Sequence, residues 1–216
     1  ELDMSRRQVL ASMVTGVAGV GLLSIGLPNR NHERQMIRPP GSLAEAEFQD
    51  KCIRCLACVR ICETNGGCLQ PDAIHSSMTQ LWLPAAQMRT GYCEYNCNLC
   101  AEVCPTDAIQ PITLEEKQNW TMGEAFFRED LCIPYAKDDD CIVCEEHCPT
   151  PDKAIKFELK TTQLSSGESR ELKMPYVIPE LCIGCGICEF KCPIVGKAGI
   201  FVTKSTGETS EMNYYS

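Results

Sequence analysis

An α+β protein, built as two small modules side by side behind an apolar helix, is what the sequence predicts, and three observations predict it. Sixteen of the 17 cysteines fall into four quartets. Each quartet is followed by a polar turn that leads into a small residue and Ile, the start of a strand. Ahead of all four, Val9 to Leu27 form a run of 19 residues without a charge. Aromatic residues make up only 6% of the chain, so few large side chains are available to fill a core, and the cysteines must supply interior scaffolding as cross-links or metal centres.

The quartets are Cys52, Cys55, Cys58 and Cys62; Cys93, Cys97, Cys100 and Cys104; Cys132, Cys141, Cys144 and Cys148; and Cys182, Cys185, Cys188 and Cys192. The first and last read C-x-x-C-x-x-C-x-x-x-C, and the last three end in Cys-Pro. That is the bacterial run for [4Fe–4S] clusters, in which three close thiolates wrap one cluster and the fourth ligates its neighbour. Three thiolates two residues apart converge only from a curled loop, and Gly184 and Gly186 are expected to remove side chains where that backbone presses on a cluster. The fourth cysteine then falls on a short helix that the following proline stops.

Other uses of cysteine fit worse. Disulfides are awkward for cysteines spaced in threes and leave the Cys-Pro endings unexplained. Zinc favours two separated C-x-x-C pairs per ion, and no histidine follows any C-x-x-C, as a c-type haem requires. "CEYNCNLC" has the C-x-x-x-C-x-x-C spacing of radical-SAM enzymes, but Cys104-Pro105 follows as a fourth ligand and the chain is too short for the accompanying barrel.

One loop, helix, turn and strand unit is therefore used four times. Two facing units enclose two clusters, so the expected fold is two dicluster-ferredoxin-like modules holding four [4Fe–4S] clusters, with all sixteen cysteines as ligands. Two departures stand out. The first quartet ends Cys62-Glu63, with Cys68 close enough to substitute, although Cys68 is read as an unligated buried thiol. The third quartet opens with "CIPYAKDDDC", expected to be an acidic loop.

Elsewhere, Thr113 and Glu116 make a capping-box pattern for a short helix from Leu114. "AIKFELKTTQL" and "ELKMPYVI" read as a hairpin around "SSGESR". His147 is expected on an exposed turn, and Trp82, Tyr92, Tyr95 and Trp120 are expected to pack without a special role. No acid/base pair, nucleophile constellation or nucleotide loop is present, so no catalytic residue is assigned. A net charge of −9 excludes the basic footprint of a nucleic-acid binder.

At the start, "SRRQVL" resembles a twin-arginine export signal, with Ser5, Arg6 and Arg7 in register and an apolar stretch behind them. Clusters are assembled in the cytoplasm, so a cluster protein bound for the far side of the membrane must cross already folded. The apolar run lacks an A-x-A cleavage site, and it is long enough to span a bilayer as an uncut anchor. Residues 1–28 are thus expected as signal and anchor, 29–47 as a tether, and 48–216 as the cluster domain.

Quartets in this order, behind "SRRQVL" and with "RPPGSLAEAEFQDKCIRCLACVRIC" and "CIGCGICEFKCP", resemble the MauM/NapG family of exported ferredoxin-type proteins. The resemblance implies an electron conduit, not an enzyme, on the periplasmic side of the cytoplasmic membrane. Its partners would be a membrane quinol- or quinone-linked subunit and a periplasmic cytochrome or reductase. Two other readings stay open: the electron-transfer subunit of an exported molybdopterin oxidoreductase, and a redox-sensing or structural iron–sulfur protein. Because the first and fourth quartets share uninterrupted spacing, and because related four-cluster subunits are built so, the quartets are expected to nest, 48–75 with 176–204 around 88–160. Cys192 would then complete the cluster of Cys52, Cys55 and Cys58, and Cys62 that of Cys182, Cys185 and Cys188. Cys148 would complete that of Cys93, Cys97 and Cys100, and Cys104 that of Cys132, Cys141 and Cys144.

Overall fold

Two copies of one chain path follow each other along the sequence, and each is closed by its own antiparallel contacts. The computed structural model describes residues 36–72, 79–163 and 169–204. The twin arginines, the apolar run and Ala73-Ile74 of the first repeat lie outside them. Among the described residues, no helix is long and apolar enough to cross a membrane.

The first repeat enters through Gly41 to Leu43 and α1 (Glu45–Lys51), then curls through the first quartet into α2 (Ala57–Cys62). An antiparallel pair, β1 (Leu69–Pro71) with β2 (Pro84–Ala86), turns the chain back to the second quartet and α3 (Leu99–Glu102). The exit lies on the entry: Ser42 bridges Ile109, Leu43 N–H donates to Ala108 O at 3.1 Å, and Gln110 N–H donates to Gly41 O at 2.8 Å. The second repeat has the same plan in fuller form. Its entry strand β3 (Glu124–Phe127) precedes α5 (Ile133–Lys137) and α6 (Val143–Glu146). A long hairpin, β4 (Ile155–Gln163) with β5 (Ser169–Val177), leads to α7 (Ile187–Lys191), and the exit strand β6 (Ile200–Thr203) pairs back on β3. Between the repeats lies α4 (Leu114–Gln118), whose capping box is present: Glu116 N–H donates to Thr113 Oγ1 and Thr113 N–H to a Glu116 carboxylate oxygen at 2.7 Å.

This path overturns the nested arrangement. Helix α2 packs on α3, and α6 on α7, so first meets second and third meets fourth. The cause lies in the connections. Each pair of quartets is joined by an antiparallel strand pair, which returns the chain to where it left, and closing that short loop costs less entropy than closing the long one that nesting requires.

Two further expectations change. Residues 36–47 are not a tether: Met36, Ile37, Arg38 and Pro39 are buried, and Ala86 N–H donates to Ile37 O at 2.8 Å. The insertion after Cys132 is not simply an acidic loop. Cys132 caps α5, Pro134 stands in its first turn, and Asp138 ends it in a left-handed conformation; Arg170 of β5 then pairs with Asp139 and Asp140. Gly184 and Gly186 line the cavity of the fourth quartet, as expected, and they also make room for neighbouring chain: a Cβ on Gly184 would strike the backbone of Gly123, and one on Gly186 the side chain of Met88.

Candidate metal centres

The third and fourth cysteines of every quartet are four residues apart, and a short helix carries them to two different places. Cys58, Cys100, Cys144 and Cys188 lie inside α2, α3, α6 and α7, while Cys62, Cys104, Cys148 and Cys192 stand at or within two residues of the helix ends. One helical turn therefore moves a sulfur from its own quartet's cavity to the partner's.

Four cavities result. Cys52, Cys55 and Cys58 share the first with Cys104. Cys93, Cys97 and Cys100 share the second with Cys62, and with Cys68. Cys132, Cys141 and Cys144 share the third with Cys192, and Cys182, Cys185 and Cys188 share the fourth with Cys148. All sixteen sequence-predicted cysteines are thus brought together in fours, with the fourth members exchanged between adjacent quartets.

The donor set fits a cubane. Three of the cavities are lined by four soft thiol sulfurs and the second by five, all among largely apolar side chains, around 320–380 Å³ of atom-free space that includes some open solvent. Among the described residues no three Cys, His, Asp or Glu side chains converge tightly enough for a lone metal ion. Burial pushes the thiols of Cys58, Cys100, Cys132, Cys144 and Cys185 up to about 12. Buried thiolates need a cationic partner to offset the lost hydration, which bound iron supplies. Main-chain donors face the fourth cysteines: Ile109 N–H reaches Cys104 Sγ at 3.5 Å and Gly199 N–H reaches Cys192 Sγ at 3.3 Å.

The sites stand in a row that departs from sequence order. The Cys100 thiol of the second site is raised by burial and, to a smaller extent, by its neighbours Cys93, Cys62 and then Cys58 of the first site. Cys185 of the fourth site has Cys93 of the second among its charged neighbours, and Cys93 N–H donates to Cys185 O at 2.8 Å. Cys188 of the fourth site likewise has Cys144 of the third. The order is first, second, fourth, third.

Known proteins match this sequence. The 4Fe-4S binding domain family matches residues 96–110 and 175–195, which hold Cys97, Cys100, Cys104 and the whole fourth quartet. The methylamine utilization ferredoxin-type protein MauM of Methylorubrum extorquens is 32% identical over 205 residues, covering 92% of this chain and 88% of that protein. The ferredoxin-type protein NapG of Escherichia coli is 31% identical over 193 residues, covering 87% and 80%. The chain belongs to the MauM/NapG family of ferredoxin-type proteins. No solved structure matches it. As a ferredoxin-type protein it is an iron–sulfur electron-transfer protein and not a catalytic enzyme.

Sequence reasoning missed the residues that brace these ferredoxin sites. Lys117 is only 1% exposed; its ammonium donates to the carbonyls of Glu94 and Tyr95 and lies beside Cys93, opposing the upward push of burial on that thiol. Arg89, from the first repeat, donates to the carbonyls of Glu189, Cys192, Ile194 and Gly196 at the end of α7. Buried Glu189 accepts Val202 N–H at 2.8 Å. Lys117 follows the capping box closely, which hints at its helix but not at its burial. Arg89 has no local signal because its partners lie over a hundred residues away. His147 is exposed, as expected, with Nδ1 2.9 Å from Val143 O. His32 and His75 fall outside the described residues.

Proposed function

We propose that this chain relays electrons through four [4Fe–4S] clusters on the periplasmic face of the cytoplasmic membrane, between a membrane quinol- or quinone-linked subunit and a periplasmic cytochrome or reductase. One observation carries the reading: four cavities, each with at least four cysteines on its wall, stand in a row, each neighbouring the next. The clusters, when bound, supply one-electron chemistry. The chain's own residues hold them apart from bulk water, aim N–H groups at their sulfurs and keep the spacing between them through α2, α3, α6 and α7. Cys55 is the exposed cysteine of the sixteen, which puts the first site nearest to solvent and makes it the natural point of exchange with a partner. Homology to a protein named for methylamine utilization and to NapG supports a place in a larger redox assembly.

The experiment is metal analysis joined to redox titration of the full chain purified without oxygen. The expected result is about sixteen irons with matching sulfide per chain and four one-electron steps; about twelve irons would remove one site from the relay. Export is tested separately. Arg6→Lys with Arg7→Lys should leave folded, iron-loaded protein in the cytoplasm, and unchanged export would reduce the arginine pair to a charged flank.

A further inference from the structure

The second site has five cysteines on its wall where the other three have four. Cys68 is 1% exposed and lines the cavity of Cys93, Cys97 and Cys100 together with Cys62. The two sulfurs are 4.0 Å apart, in contact, so they approach the same corner of the space from two directions. Cys62 arrives as the last residue of its helix, whereas the other fourth cysteines stand one or two residues past theirs. Cys68 arrives on a separate support: Gly67 bridges Tyr92, and Gln87 N–H donates to Cys68 O at 2.7 Å. What folds it back is the turn after Cys62, where proline is replaced by Glu63 and the N–H groups of Asn65, Gly66 and Gly67 all donate to Cys62 O, at 2.9–3.1 Å.

We propose that Cys68 is a second, interchangeable ligand for this corner, so that the fourth position of the site is held by either Cys62 or Cys68. The inference rests on the cluster reading of the four cavities. Both groups are thiolates when bound, so exchange leaves the charge of the site unchanged. The leaving cysteine takes up the proton that the entering one gives away, and no electron moves. The displacement required is shorter than the 4.0 Å between the sulfurs.

The test compares iron content and low-temperature EPR of the full chain with Cys62→Ala, Cys68→Ala, the double variant and Cys104→Ala. Each of the first two should keep wild-type iron, because the remaining sulfur takes the corner. The double variant should lose up to about a quarter of the iron, and Cys104→Ala, with no second thiol beside it, should lose a similar share. Loss of iron from Cys62→Ala or from Cys68→Ala alone would overturn the proposal, by making that residue the single ligand. Wild-type protein without iron would instead bring down the cluster reading itself. If Cys62→Ala does not fold, methyl methanethiosulfonate labelling of native wild-type protein decides: modification shared between Cys62 and Cys68 is expected, and modification confined to Cys68 refutes exchange.

Discussion

The first and fourth quartets have the same spacing and the same curled loop, yet only one of them uses glycine to make it. In the fourth, Gly184 and Gly186 have φ of 69° and 77°; in the first, the same two places are held by Arg54 and Leu56 at 57° and 59°. The loop itself thus demands left-handed backbone and tolerates side chains there. The difference lies in what is packed outside. A Cβ on Gly184 would come within 2.4–2.7 Å of Gly123 backbone atoms, where β3 of the same repeat begins. Arg54 instead reaches out to donate to the carbonyls of Thr79 and Leu81. Glycine in this motif is set by the neighbouring chain.

The largest effect expected from that contrast is at Gly184. Gly184→Ala combines a left-handed side chain with a backbone collision that no rotamer relieves, and it should cost roughly 2–5 kcal/mol. Denaturant unfolding of the full chain measures it. Arg54→Ala keeps the left-handed position and gives up two exposed hydrogen bonds, so it should cost about 1 kcal/mol or less. Equal losses at the two positions would mean that the loops, and not their surroundings, set the choice of residue.

A second contrast concerns how each repeat closes its entry. The second repeat uses β3 on β6, with Arg128 4.0 Å over the Phe201 ring and donating to Ala198 O. The first has only an isolated bridge there, and it holds its entry by a half-buried ion pair. Arg38 donates to both oxygens of Glu45 at 3.0 and 2.6 Å, to Pro84 O at 2.6 Å, and lies 4.8 Å over Phe48. Burial pushes the Glu45 carboxyl up, but the hydrogen bond and charge of Arg38 outweigh it, and the group lies below its ordinary value. Its contribution is therefore present above the unfolded-state value of about 4.3 and is lost as pH falls through the lower folded value. Arg38→Met should cost about 2 kcal/mol near neutrality and should flatten the acid limb of the stability profile. Unfolding midpoints measured from neutral to strongly acidic pH check both, and an unchanged acid limb would take the ion pair out of the account.

The cysteines that line the four cavities were legible because cluster chemistry needs a particular residue at a particular spacing, and the capping box and the β4–β5 hairpin were legible because their signals are local. Which quartets exchange ligands was not. It depends on strands such as Leu69–Pro71 and Pro84–Ala86, three residues each, whose pairing has almost no pattern of its own. The shared spacing of the first and fourth loops pointed to the wrong partners: in the repeated plan the first quartet corresponds to the third and the second to the fourth, and equal spacing is not a contact. Lys117 shows the other limit: a lysine on a polar helix is ordinarily solvated, and its burial comes from carbonyls at Glu94 and Tyr95 that a distant loop supplies.

The smallest effects expected separate the two turns that follow the fourth cysteines. Asp107, after Cys104, and Lys153, after Cys148, both have left-handed backbone, at φ of 54° and 52°, just before the Ala-Ile that starts the exit from each turn. Lys153 offsets the strain: its ammonium donates to the carbonyls of Glu145, Glu146 and Cys148 at 3.1, 3.1 and 2.9 Å, which satisfies the end of α6 and complements its dipole. Asp107 is exposed, and its carboxylate can only accept hydrogen bonds, so it cannot satisfy carbonyls as the Lys153 ammonium does. The same substitution should therefore act in opposite directions. Lys153→Gly relieves backbone strain but removes three charge-assisted bonds, for a net loss of about 1–2 kcal/mol. Asp107→Gly relieves strain without losing such bonds, partly offset by the entropy of glycine in the unfolded chain. It should gain about 0.5 kcal/mol, a rise of roughly 1–2 °C in Tm. Melting curves of the two variants beside wild type test the pair, and a loss of stability in both would show that the turns hold their shape by the same means.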